Sequence, residues 1–552
     1  MTPEFFTPDA TQTPEQIEAA YPPRGLPASA AVTRFGPSPT GFVHIGGLYT
    51  ALISRRLARQ TNGIFFLRIE DTDKKREVDG AEDLIVAALD DWGMAADEGL
   101  FAHGEERGAY GPYRQSERKP IYQAFVRKLL AGGHAYPCFA TAEELQALRE
   151  QQQKQKVPPG YYGNWAIWRD RTPAEVEAAL AAGKDFVIRL RSPKGLPDKI
   201  TLPDVVRGEL ALDTNRQDAV LLKADGMPTY HLAHVVDDHL MRTTHVIRGH
   251  EWLSSYPLHA QLFELLEWER PQFAHISPIE KMDGSSRRKL SKRKDPEASV
   301  EFYLAEGYPQ EAVIDYLINL ADGKFEDWRK ENPTADAAAV YPLDLERMNR
   351  SGALFDSDKL DSISRDWIGA MSDQAIYQSV SQWAQRHDPA FALLLDADPD
   401  YATAIFGIER HGERVRKDIA HWSQVPGDIS FFFDSAYQIM VPQAQELLLQ
   451  LDPAPPAQLL RDVVAGYDSG RTRDEWLEWM RGIGERHGYA QSMKVYKADK
   501  EAWRGHFGDM AAQLRIILAA RRNTPDLYEI MQVLGPDRVR ARIATAADWL
   551  GS

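Results

Sequence analysis

The stretch Arg34-Phe35-Gly36-Pro37-Ser38-Pro39-Thr40-Gly41-Phe42-Val43-His44-Ile45-Gly46-Gly47 constrains this chain more than any other. Val32 and Phe35 are apolar, and Gly36, Pro37, Pro39 and Gly41 then break any regular element. After Gly46-Gly47, the run from Leu48 to Leu57 reads as a helix. The predicted unit is a strand end, a tight turn and a helix start. The two glycines would let a phosphate approach the backbone, and a helix N-terminus offers unpaired N–H donors and a partial positive charge. His44, one turn before that helix, is placed to donate a hydrogen bond to an anion. In isolation such a loop is more often an ordinary turn with a solvated histidine, so the reading needs support from elsewhere.

That support comes from other strand ends. Gly63-Ile64-Phe65-Phe66-Leu67-Arg68-Ile69 is a short, nearly continuous apolar run, as a buried parallel strand requires. It leads into Glu70-Asp71-Thr72-Asp73, and open α/β sheets bind ligands at such carboxyl ends. A helix follows from about Gly80 to Trp92. Ala219–Leu222 and Thr243–Ile247 resume the sheet, and the latter ends in Arg248-Gly249-His250-Glu251-Trp252. Between them lies the segment from Pro228 to His239. From about Phe101 to Asp218 the character changes: a glutamine-rich helix (143–155), an aromatic cluster and runs at 186–190 and 205–210 that read as strands suggest an inserted domain. After about Val300 the apolar residues fall at helical spacing, and Pro453–Pro456 marks a joint.

A basic run, Ser285-Ser286-Arg287-Arg288-Lys289-Leu290-Ser291-Lys292-Arg293-Lys294, follows the sheet. Most charge runs are solvated faces. This one could set mobile lysines against the charge that builds on phosphate oxygens. An arginine at a strand end could hold a carboxylate through a bidentate pair, and Glu70 could hold an ammonium. Asp71, Asp73, Asp237 and Asp238 are expected to brace the site rather than bind a metal.

Composition limits the possibilities. The 552 residues carry a net charge of −16, which opposes nucleic-acid binding overall and would confine any RNA site to a local basic face. No run of eighteen apolar residues suggests a membrane span, and the first residues have no secretory pattern. The single cysteine, Cys138, rules out internal disulfides and argues against a cysteine-based zinc site. A cytoplasmic location is expected.

The glycine-rich turn and the basic run, in this order and about 245 residues apart, resemble the two signature motifs of class I aminoacyl-tRNA synthetases. The wording R-F-G-P-S-P-T-G-F-V-H-I-G-G resembles glutamyl-tRNA synthetases of the bacterial type in particular. The resemblance implies an α/β Rossmann-type catalytic domain with an inserted acceptor-binding domain, followed by an all-α C-terminal half. The segments would be an extension (1–30), two Rossmann halves (31–108 and 218–284) around the insert (109–217), the lysine loop and stem-contact region (285–343), and two helical anticodon-binding subdomains (344–452 and 453–552). It assigns Arg34, Ser38, Glu70, Tyr230, His234 and Arg248 to glutamate. His44, Gly46, Gly47, Glu251, Trp252, Lys289, Ser291 and Lys292 fall to ATP, with His44, Lys289 and Lys292 catalytic. His234 and His250 depart from the common residues, asparagine and an acid.

The implied partners are ATP with Mg²⁺, L-glutamate and tRNA(Glu), with no zinc, no membrane and a monomeric enzyme. The implied reaction forms glutamyl-adenylate and then loads the terminal adenosine of the tRNA at its 2′-OH, with activation dependent on bound tRNA. Three alternatives stay open: an enzyme that also charges tRNA(Gln), a non-catalytic tRNA-binding paralogue, and a small-molecule nucleotidylyltransferase.

Overall fold

The computed structural model describes residues 12–551 except 76, 292, 413, 414, 452 and 453. Lys292, the first eleven residues of the extension and the start of the 453–456 joint therefore lie outside the described residues. By internal contacts the chain divides into two compact units, residues 1–302 with 314–356, and residues 303–313 with 357–552.

In the first unit, α1 (Pro14–Ala20) starts from a reciprocal cap between Thr13 and Gln16. The apolar runs then build the sheet. β1 (Val32–Phe35) is buried along its whole length and is followed by α2 (Ile45–Gln60). β2 (Ile64–Leu67) pairs with β1 in parallel, with Phe35 opposite Leu67. After α3 (Ala81–Asp91), β3 (Glu98–Leu100) extends the parallel sheet, and β4 (Glu106–Arg107) closes that edge antiparallel.

The insert begins with α4 (Lys119–Ala131), β5 (Ala135–Cys138), α5 (Ala142–Lys154) and α6 (Pro173–Ala181). β6 (Val187–Leu190) stands between β5 and the later β9 in an antiparallel sheet. β7 (Lys199–Asp204) and β8 (Gly208–Asp213) form a hairpin. This corrects the expected strand at 205–210. Asp204 Oδ1 accepts the N–H groups of Val206 (3.1 Å) and Arg207 (2.8 Å), and Gly208 takes a φ of +75°, so the apolar Val205-Val206 pair sits in the turn. β9 (Val220–Leu222) pairs with β6 and completes the sheet of the insert, which corrects the expectation that Ala219–Leu222 resumes the parallel sheet. Phe66, Phe125, Leu222, Val236 and Phe273 belong to one buried cluster, so insert and sheet share a core.

The sheet then resumes. α7 (Tyr230–Leu240) precedes β10 (His245–Gly249). Thr244 N–H donates to the Val32 carbonyl (2.9 Å), and its hydroxyl accepts from Val32 N–H (2.8 Å), which starts β10 beside β1. After α8 (Tyr256–Leu265), β11 (Gln272–Ile276) pairs with β10 in parallel. β12 (Ile279–Asp283) and β13 (Ser286–Lys289) form a hairpin, and β14 (Ala353–Leu354) lies along β12. The first half of the basic run is thus strand, not open loop.

The second unit is helical, with one short strand pair, Tyr489–Ala490 with Gly505–His506, among its described residues. Its core gathers Phe391, Phe431, Trp476, Leu514, Ile517 and Leu518. The helical spacing of those leucines and isoleucines puts them on one face of the helix Phe507–Ala519.

Candidate active site

The carboxyl ends of β1, β2 and β10 open into one cleft of about 680 Å³. Arg34, Ser38, His44, Gly46, Gly47, Glu70, Tyr230, Arg248, Glu251, Trp252, Lys289 and Ser291 all line it. Thr72 of the Glu70–Asp73 run joins them, as do Thr50 and Ser277, hydroxyls that the sequence reading did not single out. A larger depression of about 1040 Å³ lies between Asp204, Tyr256, Trp268 and Phe273, but its walls carry no glycine-rich turn and no lysine.

Among the sequence-predicted residues that the structure describes, only His234 does not line the cleft. Lys292 lies outside the described residues. His234 is fully buried on α7 and stacks behind Tyr230, with ring centroids 5.5 Å apart. Its Nδ1–H donates to Asp238 (3.0 Å) and its Nε2 lies 3.4 Å from Arg248 Nη1, so it supports the wall from behind.

The glycine-rich turn differs from expectation in one detail. Helix α2 starts at Ile45, so Gly46 and Gly47 lie in its first turn, and His44 is its N-cap. His44 Nδ1 accepts the Gly46 N–H at 2.9 Å. The neutral ring then carries its proton on Nε2, which faces the Leu290 carbonyl at 3.2 Å. His44 therefore ties the turn to the segment just after β13. Gly36 matters through what it lacks. A Cβ there would overlap the Glu70 carboxylate, and its absence lets Glu70 reach over the turn.

Below the cleft floor the charges form one network. Arg34 Nε donates to Asp238 (3.1 Å), and Arg68 donates to both Asp238 (2.8 Å) and Glu70 (2.9 Å). Arg118 and the Tyr122 hydroxyl occupy Asp237, at 2.7 and 2.8 Å. Burial works to raise the Asp238 carboxyl, but Arg34 and Arg68 hold it well below the usual range. For Glu70 burial wins over the same arginines and its carboxyl is raised. Asp71 Oδ1 accepts the Ser116 N–H at 2.8 Å, and Asp73 Oδ1 the Lys75 N–H at 3.3 Å. These four aspartates brace side chains and backbone. Among the described residues no group of three or more His, Cys, Asp or Glu is arranged to hold a metal ion. The buried Cys138 thiol donates to the Tyr161 hydroxyl at 3.3 Å.

On the far wall, Trp252 packs against Tyr230, with centroids 4.5 Å apart, and is 38% exposed. Lys289 Nζ meets Glu251 Oε1 at 2.5 Å. Burial works to raise Glu251, but the bond and charge of Lys289, a backbone N–H and the nearby His250 together hold it below the usual carboxylate range. Arg288 is anchored on Asp295 (2.5 Å) and Asp283 (2.9 Å), and Ser291 N–H donates to Asp295 (2.9 Å). The cleft thus sets a histidine-capped helix start opposite a lysine, with buried arginines and a carboxylate at its base. Such a site can bind an anionic phosphate chain along one wall and a small zwitterion carrying an extra carboxylate below it.

Comparison with known proteins gives a consistent picture. A family model described as class I tRNA synthetases (E and Q), catalytic domain, matches residues 30–362, and an anticodon binding domain model matches residues 489–547. A glutamate–tRNA ligase of Clostridium perfringens (strain 13 / Type A) is 45% identical, aligned over 97% of this chain and 98% of that protein. One from Sorangium cellulosum (strain So ce56) is 44% identical over 97% of this chain and 98% of its own length. The crystal structure of a glutamate tRNA ligase from Elizabethkingia meningosepticum CCUG26117, in complex with its amino acid, matches with a TM-score of 0.74 at 29% identity. That match covers 94% of this chain and 99% of the other.

Proposed function

The chain belongs to the class I aminoacyl-tRNA synthetases of the E and Q type, and from that membership we propose that it ligates glutamate to tRNA. The observation that carries this reading is the convergence of Arg248, Glu70, His44 and Lys289 on one cleft at the carboxyl edge of a parallel sheet. The α-carboxylate of glutamate attacks the α-phosphate of ATP and pyrophosphate leaves; a ribose hydroxyl of the terminal adenosine of tRNA(Glu) then attacks the acyl carbon of the glutamyl-adenylate and AMP leaves.

Arg34, Ser38, Glu70, Tyr230 and Arg248 hold the amino acid. Glu70, with one oxygen on Arg68, takes the ammonium, and the arginine takes the side-chain carboxylate. Glu251 and Trp252 border the nucleoside. His44, the close backbone approach at Gly46 and Gly47, Ser291 and the lysines Lys289 and Lys292 take the phosphates. Mg²⁺ accompanies the ATP phosphates as part of the substrate. The insert at 109–217 serves the acceptor end, and the helical residues from 344 onward read the anticodon. The enzyme works as a cytoplasmic monomer without zinc.

Glutamate-dependent ATP–pyrophosphate exchange, with and without total tRNA and with glutamine in parallel, tests this. Exchange is expected with glutamate and tRNA together and not with glutamine. Exchange without tRNA would keep the ligase and remove the tRNA dependence. No exchange in any mixture, with tRNA still bound, would favour a non-catalytic tRNA-binding protein.

A further inference from the structure

The two arginines of the pocket differ in what surrounds them. Arg34 faces Asp238. Arg248 is only 5% exposed, yet among the described residues it forms no ion pair; its hydrogen-bond partners are imidazoles, a phenol and a carbonyl. Its Nε donates to His275 Nε2 at 2.9 Å. Its Nη1 donates to His259 Nδ1 at 3.0 Å, with Tyr230 Oη and His234 Nε2 each at 3.4 Å. The Phe273 ring lies 4.9 Å from the guanidinium carbon.

Arginine only donates, so each nitrogen facing it must be a bare acceptor. That requirement fixes the tautomers. His275 carries its proton on Nδ1 and gives it to Asp204 Oδ2 at 2.6 Å. His259 carries its proton on Nε2 and gives it to His231 Nδ1 at 3.0 Å. Burial lowers the proton affinity of all four rings, so the shell stays neutral around the cation. A carboxylate in place of any of them would offset the arginine charge before a ligand arrived. Nη2 has only a 3.4 Å contact with the Trp252 carbonyl, and Arg248 lines the cleft, so Nη2 is the arm left for a ligand.

We propose that His259 and the Asp204–His275 pair are positioning residues that hold Arg248 uncompensated toward the side-chain carboxylate of the amino acid and thereby set the preference for glutamate over glutamine. This rests on reading the cleft as a glutamate pocket. A glutamine amide would leave a buried cation without a counter-charge, whereas a carboxylate supplies one. Core histidines with no such role would change folding stability and leave the relative Michaelis constants alone.

The test uses the full chain in tRNA aminoacylation, with KM for glutamate, KM for ATP and the glutamate-to-glutamine ratio of kcat/KM measured together. His275→Leu and His259→Leu are expected to raise the glutamate KM about tenfold to a hundredfold, as loss of a hydrogen bond to a charged group does, and to lower the ratio. The ATP KM is expected to stay within about twofold. His275→Gln and His259→Asn each keep an acceptor near the lost nitrogen and should recover most of the glutamate KM. Should a leucine variant not fold, Asp204→Asn carries the test: no orientation of its amide satisfies both the turn N–H groups and His275, and the glutamate KM should again rise alone. An unchanged glutamate KM, parallel rises for both substrates, or no recovery by the amide variants would overturn the proposal. Arg248→Gln separates the two readings. If it leaves the glutamate KM unchanged, the pocket reading itself fails; if it raises that KM while the histidine variants do not, only the shell is wrong.

Discussion

At the scale of single residues, Lys289 shows how a resting contact and a working contact differ. Its ammonium sits on Glu251 at 2.5 Å, and both side chains are about half exposed. An exposed pair of this kind is worth at most about 1 kcal/mol. On the proposed function, a triphosphate chain with its several charges would displace Glu251. Lys289→Ala is therefore expected to lower the rate of pyrophosphate exchange by about 10²–10³-fold, with the melting temperature unchanged. An unaltered exchange rate would remove Lys289 from the phosphate site. The residues that carry motifs were legible in the sequence because local composition marks them: the turn at Gly36–Gly41, the glycines at the helix start, the basic run; the capping role of His44 was not. Asp204, His259 and His275 were not. Asp204 and His275 lie 71 positions apart and meet only because β7 ends next to β11. An isolated histidine in a strand carries no signal of which arginine it will face.

At the scale of elements, the close packing of strands sets the geometry of the cleft. Gly63 joins α2 to β2, and its N–H donates to the Ala58 carbonyl at 2.8 Å. The next residue, Ile64, donates to the Ala31 carbonyl at 3.0 Å. A Cβ at Gly63 would overlap that same carbonyl, which is backbone and has nowhere to move. Gly63→Ala is expected to push β2 away from β1 and to lower stability by about 1–3 kcal/mol, as overpacking does. The midpoint of urea unfolding reads this directly, and an unchanged midpoint would show that the strands yield more freely. Elements with a single strong period were legible: β2, α3 and the apolar face at Leu514, Ile517 and Leu518 agree with their sequence patterns within a residue or two. The run at 205–210 misled because an apolar pair also occurs in a hairpin turn when an aspartate side chain supplies the acceptors.

At the scale of the whole molecule, buried histidines govern the response to acid. His231, His234, His239, His245, His259, His275 and His421 are all lowered, each chiefly by burial. His275 is pushed down to about 4 and His234 to about 3. As pH falls below the unfolded value of about 6.5, the unfolded chain takes up protons that the folded chain refuses. The unfolded state then binds more protons, and stability falls with pH. Each ring contributes at most about 1.4 kcal/mol per pH unit. Glu70 and Glu106, raised by burial, act in the opposite sense but are fewer. The urea midpoint is therefore expected to be lower at pH 5.5 than at pH 7.5; an equal or higher midpoint would mean that these rings are protonated in the folded chain.

The sequence by itself determined the α/β first part, the helical second part, and which strand ends gather polar side chains at the cleft. Those features follow from periodicity, turn residues and the need of phosphates for glycine, helix ends and cations, all of which act within a few residues. Tertiary structure alone decided that Arg34 has a carboxylate partner while Arg248, among the described residues, has none, that His234 stands buried behind the pocket wall, and that Lys289 rests on Glu251. Charge compensation depends on distances between side chains far apart in the chain, and only folding sets those distances.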